Sequence, residues 1–477
     1  MIIKIHKRKK KPKTDLLLYI RNGQNISARQ QLRLVVNLSI PAIMAQITSI
    51  LMQYIDTSMV GRLGADNSAS IGLVSTTTWL FGSLCFAATA GYTVQVAQYI
   101  GANKNEKAKE VLRQSFTSVL LFSLLLMFAG LLISGFLARW LGGGGSQQIY
   151  ENATVYFIVY ICSMPAIGLN ALAGGMLQCS GNMKIPSILN ALMCGIDVVF
   201  NTLLIFPQHE IHLLYFKIVI PGADLGVTGA ALGTAFAELL TVCLMLYFLC
   251  FRTPALRLKK GESYKPTAEC LIRAVRIALP IGFEQFIICG AMIVTTRIVA
   301  PLGIIAIAAN SFAITAESLC YMPGYGIANA ATTLVGQSVG AGRKELTRHF
   351  GRITVLLGMA VMACTGAVMF FAAPIMISLL SPNLEVRELG TQILRIEAFA
   401  EPLFAASIVV SGVLRGTGDT LIPSMMNFFS MWAVRLPLSW LLAKTLGLKG
   451  IWIAMCIELC FRGTIFLIRL YQGKWIK

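Results

Sequence analysis

The chain has 477 residues, 56% of them hydrophobic and 13% charged, with a mean hydropathy of +0.71. No soluble domain of this size hides that much apolar surface, so the composition excludes a soluble enzyme or binding module and specifies a polytopic, all-α membrane protein. The net charge of +19 would suit a nucleic-acid binder, but the basic residues sit between apolar runs, which argues against any nucleic-acid partner.

Residues 1–33 open with IKIHKRKKKPK and a short apolar patch, too short for a signal-peptide core. They read as a basic cytoplasmic tail that touches anionic lipid headgroups. The first long apolar run contains Ile47–Ala65, with a single carboxylate, Asp56, before a Gly-Arg-Leu-Gly turn. An acid at hydrocarbon depth costs about 2.5–3.5 kcal/mol, which is offset by a wet cavity, a partner, or a bound proton or cation.

Apolar segments long enough to span follow near 34–59, 69–97, 115–139, 153–177, 186–206 and 227–250, then near 272–299, 304–335, 353–380, 391–414, 421–443 and 447–470. Ten Lys/Arg precede the first span, and Lys104, Lys107, Lys109 and Arg113 follow the second. Seven lie from Arg252 to Arg276, and Arg343, Lys344, Arg348 and Arg352 follow the eighth span. The alternate loops are poor in positive charge, which predicts both termini on the cytoplasmic side of a plasma (inner) membrane. His209 and His212 fall in an outward loop and read as solvated. Twelve scattered cysteines show no CxxC pair and read as small core residues, not disulfides.

The chain also repeats. IPAIMAQ (40–46) matches LPIGFEQ (279–285), and AQYIGA (97–102) resembles GQSVGA (336–341), both at an offset of 239 residues. LQCSGNMKIPSILN (177–190) matches LRGTGDTLIPSMMN (414–427) at an offset of 237. The spacing predicts two lobes of six helices, 34–250 and 272–477, joined by a cytoplasmic linker at 251–271. Because six is even, both lobes enter the membrane from one side and are related by a pseudo-twofold along the membrane normal.

These strings, together with DTSMVGRLGA (56–65), VAQYIGANKNEKAKE (96–110), GVTGAALGTAFAE (226–238) and PGYGIANAATTLVGQSVGAG (323–342), resemble the multidrug and toxic compound extrusion (MATE) transporters over nearly everything after residue 33. The resemblance implies a V-shaped secondary transporter that exports organic, often cationic, compounds in exchange for Na⁺ or H⁺. It implies no cofactor beyond that coupling ion. Asp56 matches the family's first-helix acid. In the fifth helix, members often carry Asn-x-x-x-Asp, whereas DVVFN (197–201) holds the two in reversed order. Asp197 and Asn201 are an i, i+4 pair on one helix face. With Thr234 they give an oxygen set that suits Na⁺ or a shared proton. Glu284 matches a seventh-helix glutamate, within reach of a cationic substrate. Phe404 stands where one subgroup has a tenth-helix Asp.

Arg297 and Arg435 are expected to be buried cations paired with Glu317 or Glu401, since an unpaired Arg in lipid is implausible. Glu458 is expected to pair with Arg462 at i, i+4. A flippase-like exporter of a lipid-linked or polyanionic substrate is the alternative within the wider superfamily. Such proteins tend to have more spans and a cationic cavity, whereas the N-lobe here is acidic. The internal duplication counts against a channel or receptor, and the loop GANKNEKAKE lacks the major-facilitator signature. No catalytic constellation appears, and the working unit is expected to be a monomer bound by a small organic substrate.

Overall fold

The computed structural model describes residues 16–141, 147–213, 216–258 and 262–476. The basic run before residue 16 and the side chains of His209 and His212 lie outside the described residues. A short helix, α1 (Leu16–Arg21), precedes the first span, α2 (Ala28–Gly61). Ser27 caps α2 by a reciprocal box: its hydroxyl accepts from the Gln30 N–H (3.4 Å), and its own N–H donates to Gln30 Oε1 (2.9 Å). At ~1.5 Å per residue α2 is about 50 Å long, well over the ~30 Å of hydrocarbon.

The N-terminal half continues with α3 (Ala65–Gly101), α4 (Asn105–Trp140), α5 (Gln147–Cys162), α6 (Met164–Cys179), α7 (Lys184–Ile205) and α8 (Gly226–Tyr247). The C-terminal half comprises α9 (Ala268–Val299), α10 (Ile304–Gly340), α11 (Lys344–Leu380), α12 (Leu384–Glu397), α13 (Glu401–Thr417), α14 (Leu421–Phe429), α15 (Leu436–Leu446) and α16 (Leu448–Gln472). Among the described residues, nine unbroken helices are long and apolar enough to cross a membrane. The pair α5–α6, bent by 47°, makes a tenth span. The tenth and eleventh apolar segments of the sequence fall on α12–α13 and on α14–α15.

These interruptions have local causes. Pro165 and Pro402 open α6 and α13 and occupy equivalent positions in the repeat, so the fourth and tenth spans break at the same level. Between α14 and α15 the helix widens into a π-helical stretch, Ser430–Arg435, just before Pro437, which cannot donate to the preceding turn. Helices overrun their apolar runs where charged residues extend them into water. In α4, Lys109 pairs with Glu106 (2.8 Å) a turn outside the oily segment. The connection between α7 and α8, which the sequence reads as a loop, is an antiparallel hairpin of β1 (Pro207–Leu213) and β2 (Phe216–Ala223). All twelve cysteines are free.

The halves meet along α2 against α10 and α3 against both α9 and α10. At the end that carries the termini, the contact is reciprocal. A Cβ on Gly101 would fall 2.0 Å from the Gln337 carbonyl oxygen, and one on Gly340 would fall 1.9 Å from that of Gln98. Gln98 Nε2 donates to the Gly416 carbonyl (3.1 Å), and Gln337 Nε2 donates to the Cys179 carbonyl (2.7 Å). Each glutamine thus caps the broken span of the opposite half, which is the pseudo-twofold expressed in side chains.

Candidate functional site

The four polar residues singled out in the N-lobe, Asp56, Asp197, Asn201 and Thr234, converge. Asp197 and Asn201 lie one turn apart on α7, and both are fully buried. α7 packs between α2 and α8. Asn201 falls four residues before the end of α7, and Asp56 five before the end of α2, so the two reach the same level. The Asn201 amide spans both acids: Nδ2 donates to Asp56 Oδ1 at 2.9 Å and to Asp197 Oδ2 at 3.0 Å. Among the described residues, Asp197 Oδ1 and Asn201 Oδ1 are buried without a hydrogen-bond partner.

The reversed Asp/Asn order has a geometric consequence. The amide stands on the turn nearer the end of α7, where it faces Asp56, and the second carboxylate stands one turn closer to the middle of the helix. Thr234 on α8 lies beside Asp197, and its hydroxyl donates to the Ala230 carbonyl (3.2 Å). Its neighbour Gly233 permits this close approach: a Cβ there would sit 2.1 Å from Asn201 Oδ1. The result is two carboxylates, one amide oxygen and one hydroxyl in one pocket, a donor set for a small hard cation or a shared proton.

In the C-lobe, Glu284 of α9 accepts from Ser424 Oγ (3.0 Å) and Asn427 Nδ2 (2.6 Å), both on α14. The expected ion pairs are rearranged. Arg435 pairs with Glu458 (3.3 Å), not with Glu317 or Glu401. Glu458 is fully buried, pairs with Arg462 as well (2.8 Å), and accepts from Ser430 Oγ (2.5 Å). One carboxylate therefore stands between two guanidinia and forms an ion pair with each. Among the described residues, Glu317 and Glu401 are buried without an ion pair, and both oxygens of Glu401 lack a hydrogen-bond partner.

Arg297 is not a buried cation. It is exposed in the last turn of α9, close enough to the helix end for a long side chain to reach the interface without a carboxylate. Phe404 packs edge-on against Tyr321 (centroids 5.5 Å apart), and the Arg462 guanidinium lies 5.6 Å from its ring centre. An aromatic face therefore meets the cation at this position. Sequence reasoning also misses Asn170, which donates to the buried Glu238 at 2.8 Å across α6 and α8. No spacing rule joins two residues on separate helices, so nothing in the sequence marks that pair.

The MatE family model matches residues 41–203 and 280–441, one block in each lobe. A probable multidrug resistance protein NorM from Thermotoga maritima is 27% identical over 444 residues, covering 93% of this chain and 92% of the relative. A multidrug resistance protein MdtK from Edwardsiella ictaluri is 26% identical over 460 residues, covering 94% and 96%. Among solved structures, a MOP superfamily transporter from Pyrococcus furiosus superposes with a TM-score of 0.85 at 20% identity, over 97% of this chain and 99% of that one. An outward-facing multidrug resistance MATE transporter gives 0.84 at 20%, with the same coverage. The fold is therefore that of the MATE structures, and the chain belongs to the MatE family.

Proposed function

We propose that this protein is a secondary active multidrug exporter that moves organic, cationic compounds out of the cell in exchange for Na⁺ or H⁺. The observation that carries the reading is the Asn201 amide bridging Asp56 and Asp197 inside one lobe. Two carboxylates sharing a buried pocket do not ionise freely together unless a cation enters. Such a pocket binds its cation with different strength when hydrated and when sealed, and only that difference can move an equilibrium between inward- and outward-open states. The relatives named as multidrug resistance proteins support the substrate class. Glu284, held by Ser424 and Asn427, offers a carboxylate for a cationic substrate.

In this reading the protein works as a monomer in the inner membrane, with both termini cytoplasmic and the basic tail on anionic lipid. An exporter of polyanionic or lipid-linked substrates would need a cationic cavity, and the N-lobe pocket has the opposite sign. The test is purified protein in liposomes with imposed Na⁺ or pH gradients and a fluorescent organic cation. Efflux driven by one gradient and lost in Asp56→Asn is expected. Gradient-driven efflux that survives Asp56→Asn at matched reconstitution removes this pocket from the mechanism.

A further inference from the structure

The segment ahead of the first span is bound to both lobes at once. Leu17 and Ile20 of α1 are buried, and together with Ile26 they pack into a core containing Val335 and Phe350 of the C-lobe and Met183 of the N-lobe. Leu17 lies so close to Gly181 that a Cβ there would fall 2.1 Å from Leu17 Cδ1. On the N-lobe side, Asn103 Nδ2 donates to the Arg21 carbonyl (3.0 Å), and the Arg21 guanidinium donates to the Ser180 carbonyl (3.3 Å). On the C-lobe side, the same guanidinium donates to Gln337 Oε1 (3.3 Å), and Arg343 donates to the carbonyls of Tyr19 (3.2 Å) and Gln24 (2.7 Å).

The two lobes differ at this corner in a way that fits the contact. Asn103 holds a left-handed backbone (φ 57°), and its repeat counterpart is Gly342 (φ 69°), the residue that conformation favours. The N-lobe corner instead carries a side chain, and that side chain grips α1.

We infer that residues 16–24 form a latch that docks on a composite surface present only while the two lobes meet at the end bearing the termini. Its docking therefore holds closed the end that the charge pattern places in the cytoplasm. The inference rests on the alternating-access reading for its functional meaning, but the geometry stands without it. Any motion that separates Asn103 and Ser180 from Gln337 and Arg343 must break one set of these hydrogen bonds. Because the latch binds one conformer and not the other, removing any one of them shifts the population toward the open form, by about three- to tenfold for a partly exposed hydrogen bond.

The test uses the full chain in lipid nanodiscs and hydrogen–deuterium exchange of two seam peptides, 98–104 and 337–344. Asn103→Gly keeps the left-handed backbone and removes only the grip. Arg343→Gln removes the grip on the other lobe. Arg352→Gln, a cation at the same end that stacks on Tyr471, controls for the change in charge. We expect Asn103→Gly to raise exchange in 337–344, and Arg343→Gln to raise it in 98–104, each by about three- to tenfold, with the control unchanged. Faster exchange confined to the peptide that carries the substitution, or none in either, overturns the latch. The readout needs no substrate or gradient, so failure of the latch and failure of the antiport reading are separately visible.

Discussion

Gly233→Ala tests the site without touching any of its charged groups. A Cβ at this position would lie 2.1 Å from Asn201 Oδ1 and 3.2 Å from the Asn201 backbone nitrogen. Ordinary contact needs about 3.4 Å, so either the amide moves by more than an ångström or α8 backs away from α7. Overpacking of this kind costs about 1–3 kcal/mol. If the amide yields, it leaves the two acids it bridges at 2.9 and 3.0 Å, each hydrogen bond worth about 0.5–1.5 kcal/mol net. Gly195→Ala on the same helix as Asn201 is the matched control, since nothing lies within 4 Å of its added Cβ. Reconstituted Gly233→Ala should fold, insert and lose at least tenfold in gradient-driven efflux, while Gly195→Ala transports normally. Wild-type efflux by Gly233→Ala would refute the claim that the amide bridge is the working geometry.

Two further outcomes follow from the same geometry. Asp197→Asn should weaken ion-driven efflux nearly as much as Asp56→Asn, with the double mutant little worse, because one amide joins both acids; efflux assayed across pH, with and without Na⁺, checks this, and multiplicative losses would mean two independent sites. Glu458→Gln removes the carboxylate between the buried Arg462 and the half-buried Arg435, a destabilisation of about 3–5 kcal/mol. Thermal unfolding in detergent should show it as a large drop, and a wild-type melting curve would assign those cations another partner.

Some of this is readable in the residues and some is not, for physical reasons. Spans, lobes and their relation come from hydropathy and from the 239-residue offset, which are properties of the chain itself. Asp56, Asp197 and Asn201 are visible because a polar group inside an apolar run has few explanations. The partner of Arg435 is hidden because Glu458 already has one at i, i+4, and a carboxylate has room for two guanidinia. The exposure of Arg297 escapes a hydropathy window, which does not register where a helix ends. The hairpin at 207–223 passes for a loop, since its alternation follows a break between two long spans. α1 merges with the basic tail because its six residues are too few to show a periodicity.

Antiport requires the N-lobe site to act on the other lobe, and α2 is the element placed to do it. It carries Asp56, packs on α7 within its own lobe and runs along α10 of the opposite lobe. Two residues before Asp56, the Tyr54 hydroxyl donates to the Thr315 carbonyl at 2.6 Å, a bond from α2 to α10 across the interface. A cation that draws Asp56 toward Asp197 and Asn201 must therefore pull on a helix that is tied to the C-lobe next to the site. Tyr54→Phe removes only the tie. A partly buried neutral hydrogen bond is worth about 0.5–1.5 kcal/mol, so the coupling between cation and substrate should fall by about three- to tenfold. Binding of a fluorescent organic cation, titrated with and without saturating Na⁺ or at two proton concentrations, measures that coupling directly. By linkage the same factor must appear in the affinity for the coupling ion measured with and without substrate. If Tyr54→Phe binds both ligands with wild-type coupling, the signal does not travel through α2.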